Sequence, residues 1–484
     1  MADDSARRWD AGRDTLAALL LCAAPLLPWN LYFGVGVPGS RPLLFAAVAV
    51  VTLLALASIA VGRAGRLPAV SARFKTALCL PYLLLVAGFV LFDAVQTVRY
   101  GGTAQVPGGV GPGAWLGVTG AVLAAQPTSA AAVRPEPLAR SARVLGYVSL
   151  IGAGLSVLFN LYWRSRYALA GAAGFGRQQA AVIGTALVYG LVAWTAVWVA
   201  ARWMRRGDIP ARLAASMLGA ATLAAGALVW ITPVGRYIDG FHGIAQNTST
   251  AGVGFEAYLV WAAVAAIVAV PTLRASAAVR SRDADAWLTA GRMLTVLVIA
   301  WAGGSVLMRI TDLAVAAELE LGYPPYDSVA MAAFDLVTAV LAIWLWLNLT
   351  NRAVRPVTLW SLCAVLFGLT ISRIVVGVGL APRTAVAQRS TQLADPVYGN
   401  GFAQQITSTF DVVLCGLALC VAAIAIVAAR RPVGTPAHRP GAPRIFRRSA
   451  GSPATTGGPR IFRPQPDPGR QAGSQGSAKG NSTP

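Results

Sequence analysis

Charge is what this chain has least of. Only 12% of its 484 residues are charged, where a soluble globular protein carries about 25%. Lysine is all but missing, with Lys75 and Lys479 the two copies. Histidine occurs twice, at His242 and His438. Asp239 and His242 stand three apart and would share a helical face, but two groups are too few for a metal site, and no metal is expected. The five cysteines, Cys22, Cys79, Cys363, Cys415 and Cys420, form no CxxC pair. They suggest neither a disulfide framework nor a zinc site, and all lie in apolar runs where Cys serves as a small apolar residue. No GxxxxGK[ST], HExxH or GxSxG occurs, so no ATP-driven motor, zinc protease or serine-hydrolase elbow is encoded. The loop near Gly34–Arg41 has no acid, which argues against a polyprenyl-sugar-dependent glycosyltransferase. From these absences the chain is expected not to be an enzyme and to use no cofactor.

What fills the space is apolar. Hydrophobic residues make up 56% of the chain, and the mean hydropathy is +0.60. Several runs exceed the roughly 18 apolar residues that mark a membrane span. The runs predict an all-α, polytopic transmembrane bundle of about twelve helices in six hairpins. The helices are placed near 15–35, 43–62, 76–97, 108–125, 144–163, 179–202, 211–234, 254–272, 291–308, 329–348, 356–380 and 404–429. Arg7 and Arg8 precede the first run as in a signal peptide. Thr15–Val35 is long for such a segment and lacks a clean small-residue cleavage site, so it reads as an uncleaved first helix. The domain reading is a cytoplasmic segment 1–14, a helical domain 15–430 and a disordered basic tail 431–484, whose Pro, Gly, Ser and Arg cannot bury enough apolar surface to fold.

The formal charge of +21 is not a nucleic-acid footprint. The stretch from Arg430 onward holds ten basic residues and one acid, Asp467, and the remaining +12 is scattered through short loops. Loops leaving the even helices are dense in Arg. Arg63, Arg66 and Arg73 stand in one, Arg205, Arg206 and Arg212 in another, and Arg274, Arg280 and Arg282 in a third. The opposite loops hold fewer, among them Arg164, Arg166, Arg177, Arg383 and Arg389. By the positive-inside rule both termini are expected in the cytoplasm, with the protein in the plasma (inner) membrane.

Ionisable residues gather where the helices meet the outer boundary. Arg236 with Asp239, Arg309 with Asp312, and Arg373 close the first helix of the last three hairpins. Phe255-Glu256, Phe334-Asp335 and Phe410-Asp411 open the return helices, and Phe92-Asp93 stands in the second hairpin. Divergent repetition and chance alignment both remain open. Charges inside a span are costly, roughly 2.5–3.5 kcal/mol at a helix centre on insertion scales. Asp93, Arg236, Asp239, Glu256, Arg309, Asp312, Asp335, Arg373 and Asp411 are therefore candidates for a substrate or ion pathway, with interhelical ion pairing as the structural alternative. Asp335 lies deepest, about two turns inside its run. Gly152, Gly154 and Gly171 would allow close helix contact.

The tail carries one repeated unit, Pro443-Arg444-Ile445-Phe446-Arg447 and Pro459-Arg460-Ile461-Phe462-Arg463. Basic residues near a membrane surface attract anionic lipid, so Arg444, Phe446, Arg460 and Phe462 are candidates for binding lipid or a protein partner. No nucleic acid is expected as a partner.

The Arg-over-Lys usage, the Phe-acid helix starts and the Pro/Arg tail resemble those of the polytopic membrane proteins of mycobacteria and related actinobacteria that form families of unknown function. The resemblance implies no catalytic residue. Two functions fit: a secondary transporter or permease of a small solute or lipid, and a non-catalytic scaffold of an envelope or secretion assembly.

Overall fold

A computed structural model describes residues 2–29, 42–64, 68–100, 109–127, 135–170, 175–232, 255–278, 283–320, 326–350, 355–380 and 409–429. These form twelve α-helices, one for each helix expected, and no strand occurs among them. They are α1 (Ala2–Ala23), α2 (Pro42–Ala64), α3 (Pro68–Arg99), α4 (Pro112–Ala125), α5 (Pro135–Ala170) and α6 (Arg177–Arg206). Then follow α7 (Ile209–Ile231), α8 (Val260–Ala278), α9 (Asp283–Glu318), α10 (Tyr326–Thr350), α11 (Pro356–Leu380) and α12 (Thr409–Ala429). A π-helical turn, Phe255–Leu259, leads into α8. Ten helices are long and apolar enough to cross a membrane.

The helix starts follow from residue chemistry. Pro opens α2, α3, α4, α5 and α11, where its missing N–H would have no intrahelical partner in any case. Gly207 ends α6 with φ of 70°, a left-handed stop that a Cβ would strain. Helices α3, α5 and α9 run well beyond the apolar stretches expected of them. Hydropathy sees the part in lipid, while backbone hydrogen bonding carries a helix on through its polar ends.

Two helices correct the sequence reading. The first was expected over 15–35, yet α1 spans Ala2–Ala23, and a 3-10 turn, Ala24–Leu26, follows it. Pro25 and Pro28 end the helix here, and Leu27 is extended, as a residue before proline prefers. The expected cytoplasmic segment is thus largely helical. The second is α4, whose 14 residues span roughly 21 Å, short of a hydrocarbon core of about 30 Å. Neither α1 nor α4 is among the ten.

Buried α4 shows how the bundle closes. Every residue from Gly111 to Ala121 is buried. Gly113 N donates to Pro28 O at 2.9 Å and Gly111 N to Trp29 O at 2.7 Å, so the segment after α1 caps the start of α4. At the other end Arg13 Nη1 reaches Pro127 O at 2.8 Å, which makes α1 and α4 antiparallel. A Cβ on Gly117 would collide with the Tyr82 hydroxyl of α3. Since lipid tails are as apolar as Leu, such close packing, rather than burial from water, holds these helices together.

Helix α8 is the axis of the bundle. It packs on α4, α5 and α7, and 83% of its apolar span is buried, against 28% for α2, α3 and α11. The latter show one face of large apolar side chains outward, such as Leu53, Leu84 and Val375, as lipid contact requires. Aromatic rings run through the core from Trp115 to Tyr258, Trp261, Phe410 and Trp301, with centroids 4.6–5.8 Å apart.

Residues 1–432 form one compact unit. The expected tail, with Arg444, Phe446, Arg460, Phe462 and His438, lies outside the described residues.

Candidate functional site: buried charges at the two ends of the bundle

We call the end that holds the start of α1 the near end and the opposite one the far end. Of the boundary candidates, Asp93, Glu256, Arg309, Asp312, Asp335, Arg373 and Asp411 are all buried. Arg236, Asp239 and His242 lie outside the described residues. The seven that are seen belong to the far half of α3, α8, α9, α10, α11 and α12.

Four helices meet at Arg373. From α11 its guanidinium pairs with Asp335 of α10, through Nε to Oδ1 and Nη2 to Oδ2. Its Nη1 lies 2.6 Å from Asp411 Oδ2 of α12. The other oxygen of Asp411 accepts Trp301 Nε1 of α9 at 3.1 Å. One cation thus holds two carboxylates, and the planar fork of Arg suits that task. Beside it, Arg309 Nη1 stands 3.5 Å from Asp312 Oδ2 one turn along α9, and Tyr189 of α6 donates its hydroxyl to Asp312. Arg309 also acts electrostatically on Asp335, so the two groups form one network from α6 to α12.

Glu256 is different. It sits in the π-helical turn with no exposed surface. Among the described residues neither of its carboxylate oxygens has a hydrogen-bond partner. Ser149 of α5 donates to the backbone carbonyl of Glu256 instead. Gly152 permits the approach: a Cβ there would lie 3.2 Å from Glu256 Cβ and from the Phe255 ring. Gly154 likewise faces Trp194 of α6, while Gly171 is outside the described residues.

Sequence reasoning missed a second cluster, at the near end. Arg13 of α1 donates to Asp14 (Nη2 to Oδ1, 2.8 Å) and lies 3.5 Å from Asp10. Arg274 of α8 pairs with Asp10, and Arg63 of α2 approaches Asp14 at 3.9 Å. Lys75 of α3 is wholly buried, and its Nζ finds no hydrogen-bond partner among the described residues. It lies against Gly62, where a Cβ would be 2.9 Å from Nζ. Arg63 and Arg274 had been read as topology signals, and Asp10 and Asp14 fell in the expected cytoplasmic segment 1–14. The spacing Asp10-x-x-Arg13-Asp14 was the available clue, since three and four residues apart is one helical face.

Among the described residues no three His, Cys, Asp or Glu side chains form a set that could hold a metal. All five cysteines are free; Cys79, Cys363 and Cys415 are buried, whereas Cys22 is exposed on α1.

Ten helices of spanning length around a core of buried charge define a polytopic membrane protein. Within that class, a domain of unknown function, DUF7937, covers residues 10–430, and the chain belongs to that family. No curated protein and no solved structure matches it.

Proposed function

We propose that the protein is a secondary transporter or permease of a small solute or lipid. The observation that carries this reading is the set of buried ionisable side chains at one end of the core, joining α3 and α8 to α12. Ionisable groups inside a bundle mark ion and substrate paths because lipid-embedded helices bury them at high cost. The protein is not an enzyme on this reading, lies in the plasma membrane and places both termini and the near end in the cytoplasm. Supporting that orientation are Arg63, Arg205, Arg206 and Arg274, all at the near end of even-numbered helices.

A second reading has its own support. Asp335 and Asp411 share Arg373, and such satisfied pairing would also brace a scaffold. The repeated Pro-Arg-Ile-Phe-Arg units would then recruit a protein partner or anionic lipid.

One experiment separates the two. The full chain is purified in mild detergent, and everything retained is identified by mass spectrometry. An enriched solute or lipid, which proteoliposomes bearing the protein then accumulate, supports transport. A stoichiometric protein partner lost on deletion of 433–484, with no such small molecule, overturns it in favour of the scaffold.

A further inference from the structure

We propose that Glu256 is a proton-binding site, and that the transport proposed above is coupled to a proton gradient there. The coupling clause rests on the transporter reading; the site does not.

The contrast with the neighbouring acids carries the argument. Asp312, Asp335 and Asp411 each hold a cation or a donor. Glu256 is as deeply buried, and among the described residues its carboxylate holds neither. Among the described residues no cation is paired with its carboxylate. From α3 comes Asp93, of the same sign. From α5 come Ser149, spent on a backbone carbonyl, and Gly152. The nearest titratable side chain on its own turn, Tyr258, stacks on Trp115 of α4. A carboxylate so placed is neutralised by a bound cation. A metal ion needs several oxygens converging on it, whereas a proton needs one, which either oxygen of Glu256 supplies. Uptake converts the carboxylate to a carboxylic acid by forming one O–H bond, and release reverses it, so no other reactant is required. The π-helical turn fits this role. Such turns break the regular ladder and occur mostly at functional sites, and here the turn sits where α8 enters the core.

The test reads the carboxyl group directly. Infrared difference spectra of the full chain in lipid nanodiscs are recorded at neutral pH, in water and in heavy water. We expect a carbonyl band from a protonated, buried carboxylic acid that shifts in heavy water. The band is lost in Glu256→Gln and kept in Glu318→Gln, which removes an exposed acid paired with Arg177. Absence of the band, or its persistence in Glu256→Gln, overturns the site. Where Glu256→Gln does not fold, Glu256→Asp decides: a displaced band supports the assignment and an unmoved one refutes it. Carboxylate bands that respond to sodium with no acid band present would make this a metal-cation site and end the proposal. A band assigned to Glu256, in a protein whose proteoliposomes accumulate no solute or lipid retained on purification, leaves the site standing and removes the transport reading.

Discussion

The near and far ends of the bundle hold their charges in different ways. At the near end Arg274, Asp10 and Arg63 lie at the rim, with side-chain exposures of 27%, 16% and 60%, while Arg13 and Asp14 beneath them are buried. At the far end Arg373, Asp335 and Asp411 are exposed by 6% or less. A rim pair is screened by water and salt. A core pair is not, and once one member is removed the other is left as an uncompensated buried charge. The near end therefore reads as a fastening of α1 to α8, and Arg373 as a brace on which α10, α11 and α12 depend. Glu256 belongs to neither kind: among the described residues its carboxylate is buried without a hydrogen-bond partner, as is the Lys75 ammonium at the near end.

Five experiments probe these contacts, in decreasing order of effect. Arg373→Met strands two carboxylates and should lower stability by about 3–5 kcal/mol, read as loss of folded protein in thermal unfolding in detergent. Asp335→Asn removes one arm of the same brace and should do part of this damage. A folded Asp335→Asn protein with unchanged stability would instead return Asp335 to the pathway. Gly117→Ala forces a methyl against Tyr82 and should cost about 1–3 kcal/mol. Tyr82→Ala should cost less on the Gly117→Ala background than on the parent in the same assay. A double-mutant cycle on Asp10→Ala and Arg274→Ala should give a coupling of about 0.2–1 kcal/mol that fades as salt is raised. A coupling as large as that of Arg373 would erase the distinction between the ends. Glu256→Gln should leave stability near that of the parent, because no partner is lost. A destabilisation comparable to Arg373→Met would show that a partner of Glu256 had been missed.

The sequence displayed the helices far better than the contacts between them. Each of the twelve apolar runs became a helix, because a chain in lipid must satisfy its backbone internally. The first boundary failed for a local reason: Pro25 and Pro28 fall inside an apolar run, and the polar turns before it are helical because Asp10, Arg13 and Asp14 find partners on other helices. Of the candidate site, the placement of charge at the helix ends was legible, since charge next to an apolar run is conspicuous. Pairing was not. Arg373 and Asp335 are 38 residues apart, and nothing in a helical period says which helices are neighbours. For the same reason Glu256 looked like Asp411: both follow a Phe at a helix start, yet Trp301 and Arg373 reach only Asp411.

The burial of α4 also sets a schedule for making the protein. This helix is too short to rest in lipid by itself, and one of its sides is completed only by α8: Gln126 donates to Ala266 O at 2.6 Å, 140 residues further along the chain. At about 5–20 residues per second, a ribosome takes on the order of ten seconds to deliver that partner. During that interval α1, α2 and α3, already synthesised and packed on α4, are the elements available to keep it in the bilayer. Of these, α1 and the segment after it meet α4 at both of its ends, through Gly113 with Pro28 and Arg13 with Pro127. Weakening the contact of Arg13 with Pro127 should show first as a lower yield of inserted protein, before any defect in the finished bundle.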